Sequence, residues 1–199
     1  NVITLIADEY DSKRLNSPND VCVHSNGTVF FTDPPFGIIN PKRVEGFAGK
    51  MMYDGCYVFK YDPKTKLLEA LVTDMDRPNG IALSLGESNL FISNTGETKY
   101  IRRYDIDKNL KVTSPIEFAK TDPNHVFDGF TFDIENNLWT SCGAGVACYA
   151  ASGEQIGFIK IPELVSNIEF GGTDGKTLFI TASTSFYMAN LGIKGAKFK

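Results

Sequence analysis

No stretch of this 199-residue chain approaches 18 consecutive apolar residues, which excludes a helical membrane span. Apolar residues nowhere recur with the 3.6-residue period of an amphipathic helix, so the fold is expected to be built from strands. Clusters of Lys and Arg are also absent, and the formal net charge is −4, which argues against a nucleic-acid partner. The four cysteines include no CxxC pair and have no metal-ligand spacing. Cys22 lies in an apolar run and reads as a small core residue. Cys142 and Cys148 bracket a Gly-rich turn, where a disulfide could form. An initiator Met is missing, and Val2-Ile3-Thr4-Leu5-Ile6 looks like a strand already under way. Residues 2–8 are therefore expected to be the last strand of a repeat whose earlier part lies outside this sequence. A cytoplasmic location is the expectation, with any signal peptide out of view.

What is present is a phrase that returns. Ser17-Pro18-Asn19-Asp20-Val21-Cys22-Val23 passes through Asn26-Gly27 into Thr28-Val29-Phe30-Phe31-Thr32-Asp33. Arg77-Pro78-Asn79-Gly80-Ile81-Ala82-Leu83 then leads to Asn89-Leu90-Phe91-Ile92-Ser93-Asn94. Val126-Phe127-Asp128-Gly129-Phe130-Thr131-Phe132 leads to Asn137-Leu138-Trp139-Thr140-Ser141-Cys142. A weaker fourth copy runs from Val165-Ser166-Asn167-Ile168 to Thr177-Leu178-Phe179-Ile180. Aligned on apolar residues, Asn19, Asn79, Asp128 and Ser166 share one position, at spacings of 60, 49 and 38 residues. Alternation such as Val21, Val23, Val29 and Phe31 marks strands, and Asn26-Gly27 suits a type I′ turn. Each unit continues with two further short strands, for example 56–61 and 67–73 in the first.

Four short antiparallel strands repeated in this way are the pattern of a propeller blade. One blade leaves both faces of its sheet open, so blades stack around an axis. A β-sandwich with regular turns is the competing all-β architecture, but it gives no reason for a polar residue to open each unit. In a propeller, Asn19, Asn79, Asp128 and Ser166 start the innermost strands and point to one mouth of the channel. Asp33, Asn94 and Cys142 return to that same end, where Asp33 is placed to brace the rim. The connection 34–55, with Pro34, Pro35, Phe36, Phe47, Met51, Met52 and Tyr53, is the longest rim loop. It is expected to act as a lid or substrate wall.

The residue types indicate the chemistry. Asn carbonyl oxygens and an Asp carboxylate are hard donors suited to calcium above all, and also to magnesium, manganese or zinc. Asn19, Asn79 and Asp128 are the candidate metal ligands, with Asp128 also a general base toward water. Such a cation would polarise an ester carbonyl and stabilise its oxyanion. His125 and Phe36, near the same mouth, are candidates for substrate contact along with Asn19. His24 falls at the far end and reads as a surface residue, and Asp20 reads as a turn residue capping its own backbone.

These segments carry a resemblance. Ser17-Pro18-Asn19-Asp20, Phe31-Thr32-Asp33-Pro34-Pro35-Phe36-Gly37, Arg77-Pro78-Asn79-Gly80, Phe127-Asp128-Gly129 and Val165-Ser166-Asn167-Ile168-Glu169-Phe170-Gly171-Gly172 resemble the gluconolactonase family. That family includes regucalcin (senescence marker protein) and the luciferin-regenerating enzymes, and the likeness covers essentially the whole chain. The resemblance implies a six-bladed propeller that binds a divalent metal in its channel and opens lactones, with about four blades in this chain. It implies that Asn79 and Asp128 are metal ligands and that Asn19 is a ligand or touches substrate. The family's remaining ligand, a Glu of the first blade, would lie in the missing N-terminal segment that closes the ring. Some animal members have a basic residue where Ser17 stands here.

Three functions are therefore carried forward. One is a metal-dependent hydrolase that opens a lactone or ester by attack of metal-activated water, with organophosphate-hydrolysing relatives as a variant. Another is a non-catalytic propeller that binds calcium or a small ligand. The third is a propeller like strictosidine synthase that works without this metal set, against which the joint presence of Asn19, Asn79 and Asp128 argues.

Overall fold

Period-two alternation folds here as strands. The computed structural model describes residues 2–39, 49–121 and 124–198. A small hairpin of β1 (Glu9–Tyr10) and β2 (Lys13–Arg14) comes first. The first large sheet contains β3 (Val21–Val23), β4 (Val29–Asp33), β5 (Cys56–Asp62) and β6 (Leu67–Met75), with the helix α1 (Phe36–Ile39) after β4. The second contains β7 (Pro78–Leu83), β8 (Asn89–Asn94), β9 (Tyr100–Ile106) and β10 (Val112–Lys120). The third contains β11 (Phe127–Phe132), β12 (Leu138–Cys142), β13 (Gly145–Tyr149) and β14 (Gln155–Lys160). The fourth shows three strands among the described residues, β15 (Val165–Gly171), β16 (Thr177–Ala182) and β17 (Phe186–Asn190). Strands follow chain order across every sheet, and all pairings are antiparallel. The result is four antiparallel blades in a propeller arrangement, with the inner strand β11 lying beside β7 on one side and β15 on the other.

Alternation then decides which blade each side chain meets. In β8, Leu90 and Ile92 turn toward the first blade and join Phe30, Val58, Val72 and Met75. Phe91, between them in sequence, turns the opposite way to meet Phe118, Phe130 and Phe132. Likewise Leu138 faces the second blade while Trp139 packs on Phe170 of the fourth. Three apolar layers therefore lie between four blades, and burying them is what holds the blades together. A smaller cluster on the open side of the first blade gathers Leu15, Tyr53 and Phe59, with Tyr10 edge-on to Phe59 and Tyr57 stacked on Tyr53.

Several expectations change. Residues 2–7 form no strand, and Val2 and Ile3 are 92% and 98% exposed. A strand is stable only when its backbone groups have a neighbour to pair with, and no described strand lies beside this one. The turn at Asn26-Gly27 is not type I′. Gly27 N–H donates to His24 C=O, and of the turn residues Gly27 alone takes a left-handed φ, of +95°. That is a type I turn followed by a left-handed residue. The same turn closes the inner hairpins of the third and fourth blades at Asp133–Asn136 and Gly172–Gly175, whereas Ser84–Glu87 in the second blade has two left-handed residues, Gly86 (φ +91°) and Glu87 (φ +59°). All four cysteines are free, so Cys142 and Cys148 are not bridged. No described helix is long and apolar enough to cross a membrane.

The proposed lid is only partly described. Residues 40–48, Phe47 among them, lie outside the described residues. The flanking parts are not a free loop: Phe36 sits on α1, and Tyr53 is a buried core residue whose hydroxyl donates to Asp33.

Candidate functional site

The inner strands of the second, third and fourth blades have a defect at the mouth end. In the second blade Pro78 pairs with Asn94 and Ile81 with Ile92, so the register slips across Asn79 and Gly80. In the third blade the slip falls between Phe127 and Phe130, across Asp128 and Gly129. In the fourth it falls between Val165 and Asn167, at Ser166. A β-bulge of this kind takes its residues out of the ladder and re-aims their side chains. In these three blades the repeated polar position is the bulge, which is why it recurs at one register.

Two of these bulges, together with Asn19 just ahead of β3, bring three of the four predicted residues together. The Asn19 amide donates to Asn79 Oδ1 at 2.5 Å, and the Asn79 amide donates to the Asp128 carboxylate. Asn79 is buried, Asp128 half-buried and Asn19 exposed, so the row runs from solvent into the channel mouth. Ser166 does not join it. Its hydroxyl turns to Thr181 of its own blade, 3.2 Å from the carbonyl and 3.0 Å from Oγ1. His125 is exposed and its ring lies against Gly143. Among the described residues it makes no hydrogen bond to Asn19, Asn79 or Asp128. Phe36 is half-buried on the rim, where α1 is tied to the first blade by Gly37 N–H donating to Ser17 Oγ at 2.9 Å.

Asp128 is the titratable group of the row. Burial pushes its carboxyl up to about 6, the nearby charge of Asp20 adds to this, and the Asn79 hydrogen bond opposes both. Among the described residues no ion pair reaches Asp128. A desolvated carboxylate facing a second one without a cation is a place where a positive ion is stabilised. No three His, Cys, Asp or Glu side chains converge among the described residues. The set is instead two amides and a carboxylate, all able to offer hard oxygen donors, and this chemistry fits a hard divalent cation.

Asp20 does more than cap its own turn. Its Oδ1 accepts from Val21 N–H, and its Oδ2 accepts from Ile81 N–H of the next blade at 3.0 Å. Asp33 braces the rim, accepting from the Asn16 and Ser17 N–H groups at 2.8 Å each. Asn94 has the same place in the second blade and accepts from Arg77 N–H. Gly80 and Gly129, which carry no functional side chain, also shape the mouth. A Cβ on Gly80 would collide with the Asp128 carbonyl oxygen, and one on Gly129 with the Asn167 amide. The inner strands thus approach most closely where the polar row forms. Both glycines stand directly after the recurring Asn or Asp, so the repeat alignment already held that signal.

The family model for the SMP-30/gluconolactonase/LRE-like region matches residues 1–184. A gluconolactonase of Zymomonas mobilis is 35% identical over 190 residues, covering 90% of this chain and 52% of the relative. The solved structure of a gluconolactonase from Xanthomonas campestris superposes with a TM-score of 0.86 at 33% identity, over 94% of this chain and 61% of that one. A calcium-binding protein, regucalcin, from Agrobacterium tumefaciens shares the fold at a TM-score of 0.69 and 18% identity, over 90% of this chain and 62% of that one. The chain spans about half the length of the curated relatives it matches.

Proposed function

The chain belongs to the SMP-30/gluconolactonase/LRE-like family, and from that premise we propose that it is a metal-dependent hydrolase that opens a sugar lactone. The observation that supports this reading is the row Asn19–Asn79–Asp128, one residue from each of three successive blades, ending in a half-buried carboxylate that has no ion-pair partner among the described residues. In this reading the four blades belong to a six-bladed ring completed by chain outside this sequence. Asn79 and Asp128, with Asn19 at the solvent side, would hold one divalent cation, calcium in the first instance. When bound, such a cation supplies Lewis-acid polarisation of the ester carbonyl. A cytoplasmic location is part of the proposal, in keeping with four free thiols.

Asp128 takes a proton from the attacking water as the water oxygen bonds to the carbonyl carbon. The ring C–O bond then breaks, and the proton passes to the departing alkoxide, leaving a hydroxy acid. Burial pushes the cation-free carboxyl up to about 6, and a cation held by the same oxygens would lower it, so Asp128 would be ionised and able to accept a proton at neutral pH. The Asn79 amide holds the carboxylate in place, and Asn19 holds Asn79. Hydrolysis of glucono-δ-lactone, followed with and without a chelator and after calcium add-back, tests the reading. Activity should need the cation, and Asp128→Asn should abolish turnover. A chelated protein at full activity, or an Asp128→Asn variant as fast as the wild type, would sink it.

A further inference from the structure

The bulges that aim Asn79 and Asp128 have a structural cost. They remove these residues' peptide groups from the sheet ladder, inside a buried part of the molecule where unpaired groups are destabilising. Buried hydroxyls satisfy them. Asn79 C=O accepts from Thr32 Oγ1 of the preceding blade at 2.7 Å. Gly80 N–H, on the other side of the same peptide plane, donates to Ser93 Oγ at 2.8 Å. Ser93 Oγ then uses its one proton toward the Asp128 carbonyl of the next blade, at 3.1 Å. Asp128 N–H donates to Ser141 Oγ at 2.9 Å. Each hydroxyl stands one residue before the end of its blade's second strand, and Thr181 repeats the place in the fourth blade.

Ser93 is the only one of these groups that grips both residues of the candidate centre. It accepts from the peptide of Asn79 and donates to the backbone of Asp128, across the blade boundary. It is fully buried, so water cannot replace it without rearrangement. We propose that Ser93 is a positioning residue that sets the separation of Asn79 and Asp128, and through it the cation affinity and the turnover of the centre. This rests on the reading of Asn79 and Asp128 as that centre.

The test is calorimetric titration with calcium, together with kcat and KM on glucono-δ-lactone and a melting curve. Four variants are compared with the wild type: Ser93→Ala, Ser93→Thr, Ser84→Ala and Asp128→Asn. Loss of a supporting hydrogen bond behind a metal ligand typically weakens affinity about 10- to 100-fold, and Ser93→Ala should fall in that range, with kcat lowered more than KM is raised. Ser93→Thr should restore both, because Thr32 and Thr181 hold the same register in neighbouring blades. Ser84, a buried hydroxyl at the far end of the same blade that accepts from Asn89 N–H at 3.1 Å, serves as the control. Ser84→Ala should lower the melting temperature yet bind calcium like the wild type. Ser93→Ala with wild-type affinity and turnover overturns the proposal, as does a folded Ser93→Thr that fails to rescue. If Ser93→Ala does not fold, Ser141→Ala decides, since it frees only the Asp128 N–H. Wild-type calcium binding and turnover in Asp128→Asn would overturn the reading of the centre itself, which is a separate failure.

Discussion

The two ends of the inner strands are built from the same residue types and behave differently. At the far end, polar side chains serve one another. Glu87 accepts from the Ser25 backbone N–H and the Ser25 hydroxyl, with His24 Nε2 3.4 Å away, and so ties two inner hairpins together. Asp133 accepts from Glu135 N–H, Asn137 N–H and the Trp139 indole. At the mouth, the backbone is satisfied by buried hydroxyls, and Asp128 is left with one amide donor and a like charge nearby. Both ends bury a carboxylate that no ion pair among the described residues reaches, but Asp133 at the far end meets four N–H donors, whereas Asp128 at the mouth is left with one. A group of that kind is retained at a cost to stability, which is the pattern of a functional site.

The sharpest way to break the contrast is a single methyl group at each end. Gly80→Ala drives a Cβ into the Asp128 backbone carbonyl, and neither chain can move without separating two blades. We expect a loss above about 4 kcal/mol, or no folding, in denaturant unfolding. Gly86→Ala, at the far end with a φ of +91° and nothing near its Cβ, should cost only the left-handed backbone, about 1–2 kcal/mol. Equal losses at the two positions would show that the inner strands are not in tighter contact at the mouth.

The next effect is the pH response of the rim. Burial pushes the Asp33 carboxyl up to about 6 despite the two N–H donors that favour its ionised form. The folded protein therefore holds this proton more tightly than the unfolded chain does. The resulting stability is fully present below about pH 4 and is lost as the pH rises through about 6. The stability of the wild type minus that of Asp33→Asn should fall by about 2–3 kcal/mol from pH 4 to 7. A flat difference would mean that the hydrogen-bond donors balance burial, and a rise with pH that they outweigh it. The smallest effect belongs to the far end, where Ser25→Ala breaks a partly exposed link to Glu87. It should cost less than about 1 kcal/mol and leave lactone hydrolysis unchanged.

Much of this was legible along the chain. Alternation at Val29, Phe31, Leu90 and Ile92 placed strands, and the recurrence of Asn19, Asn79 and Asp128 placed a mouth. The strand expected at residues 2–6 failed because β-branched composition describes a preference, while a strand also needs a partner edge. The type I′ turn failed because the dipeptide Asn26-Gly27 suits more than one hairpin and the number of turn residues decides between them. Ser166 shares its register with Asn79, but register specifies where the Cα lies and leaves the rotamer free. In the fourth blade Thr181 offers a nearer partner and claims the hydroxyl.

The sequence by itself determined the all-β class, the blade grammar and the three polar residues that meet, because side-chain period and repeat spacing are properties of the chain alone. Tertiary structure alone decided that the shared position is a bulge in three of the blades and that Thr32, Ser93 and Ser141 answer the peptide groups freed at Asn79 and Asp128. It also decided that Asp20 reaches Ile81 and raises the charge density around Asp128. The physical reason is that hydrogen bonding and desolvation depend on which atoms lie within about 3 Å, and between blades those atoms come from residues some 35 to 60 positions apart.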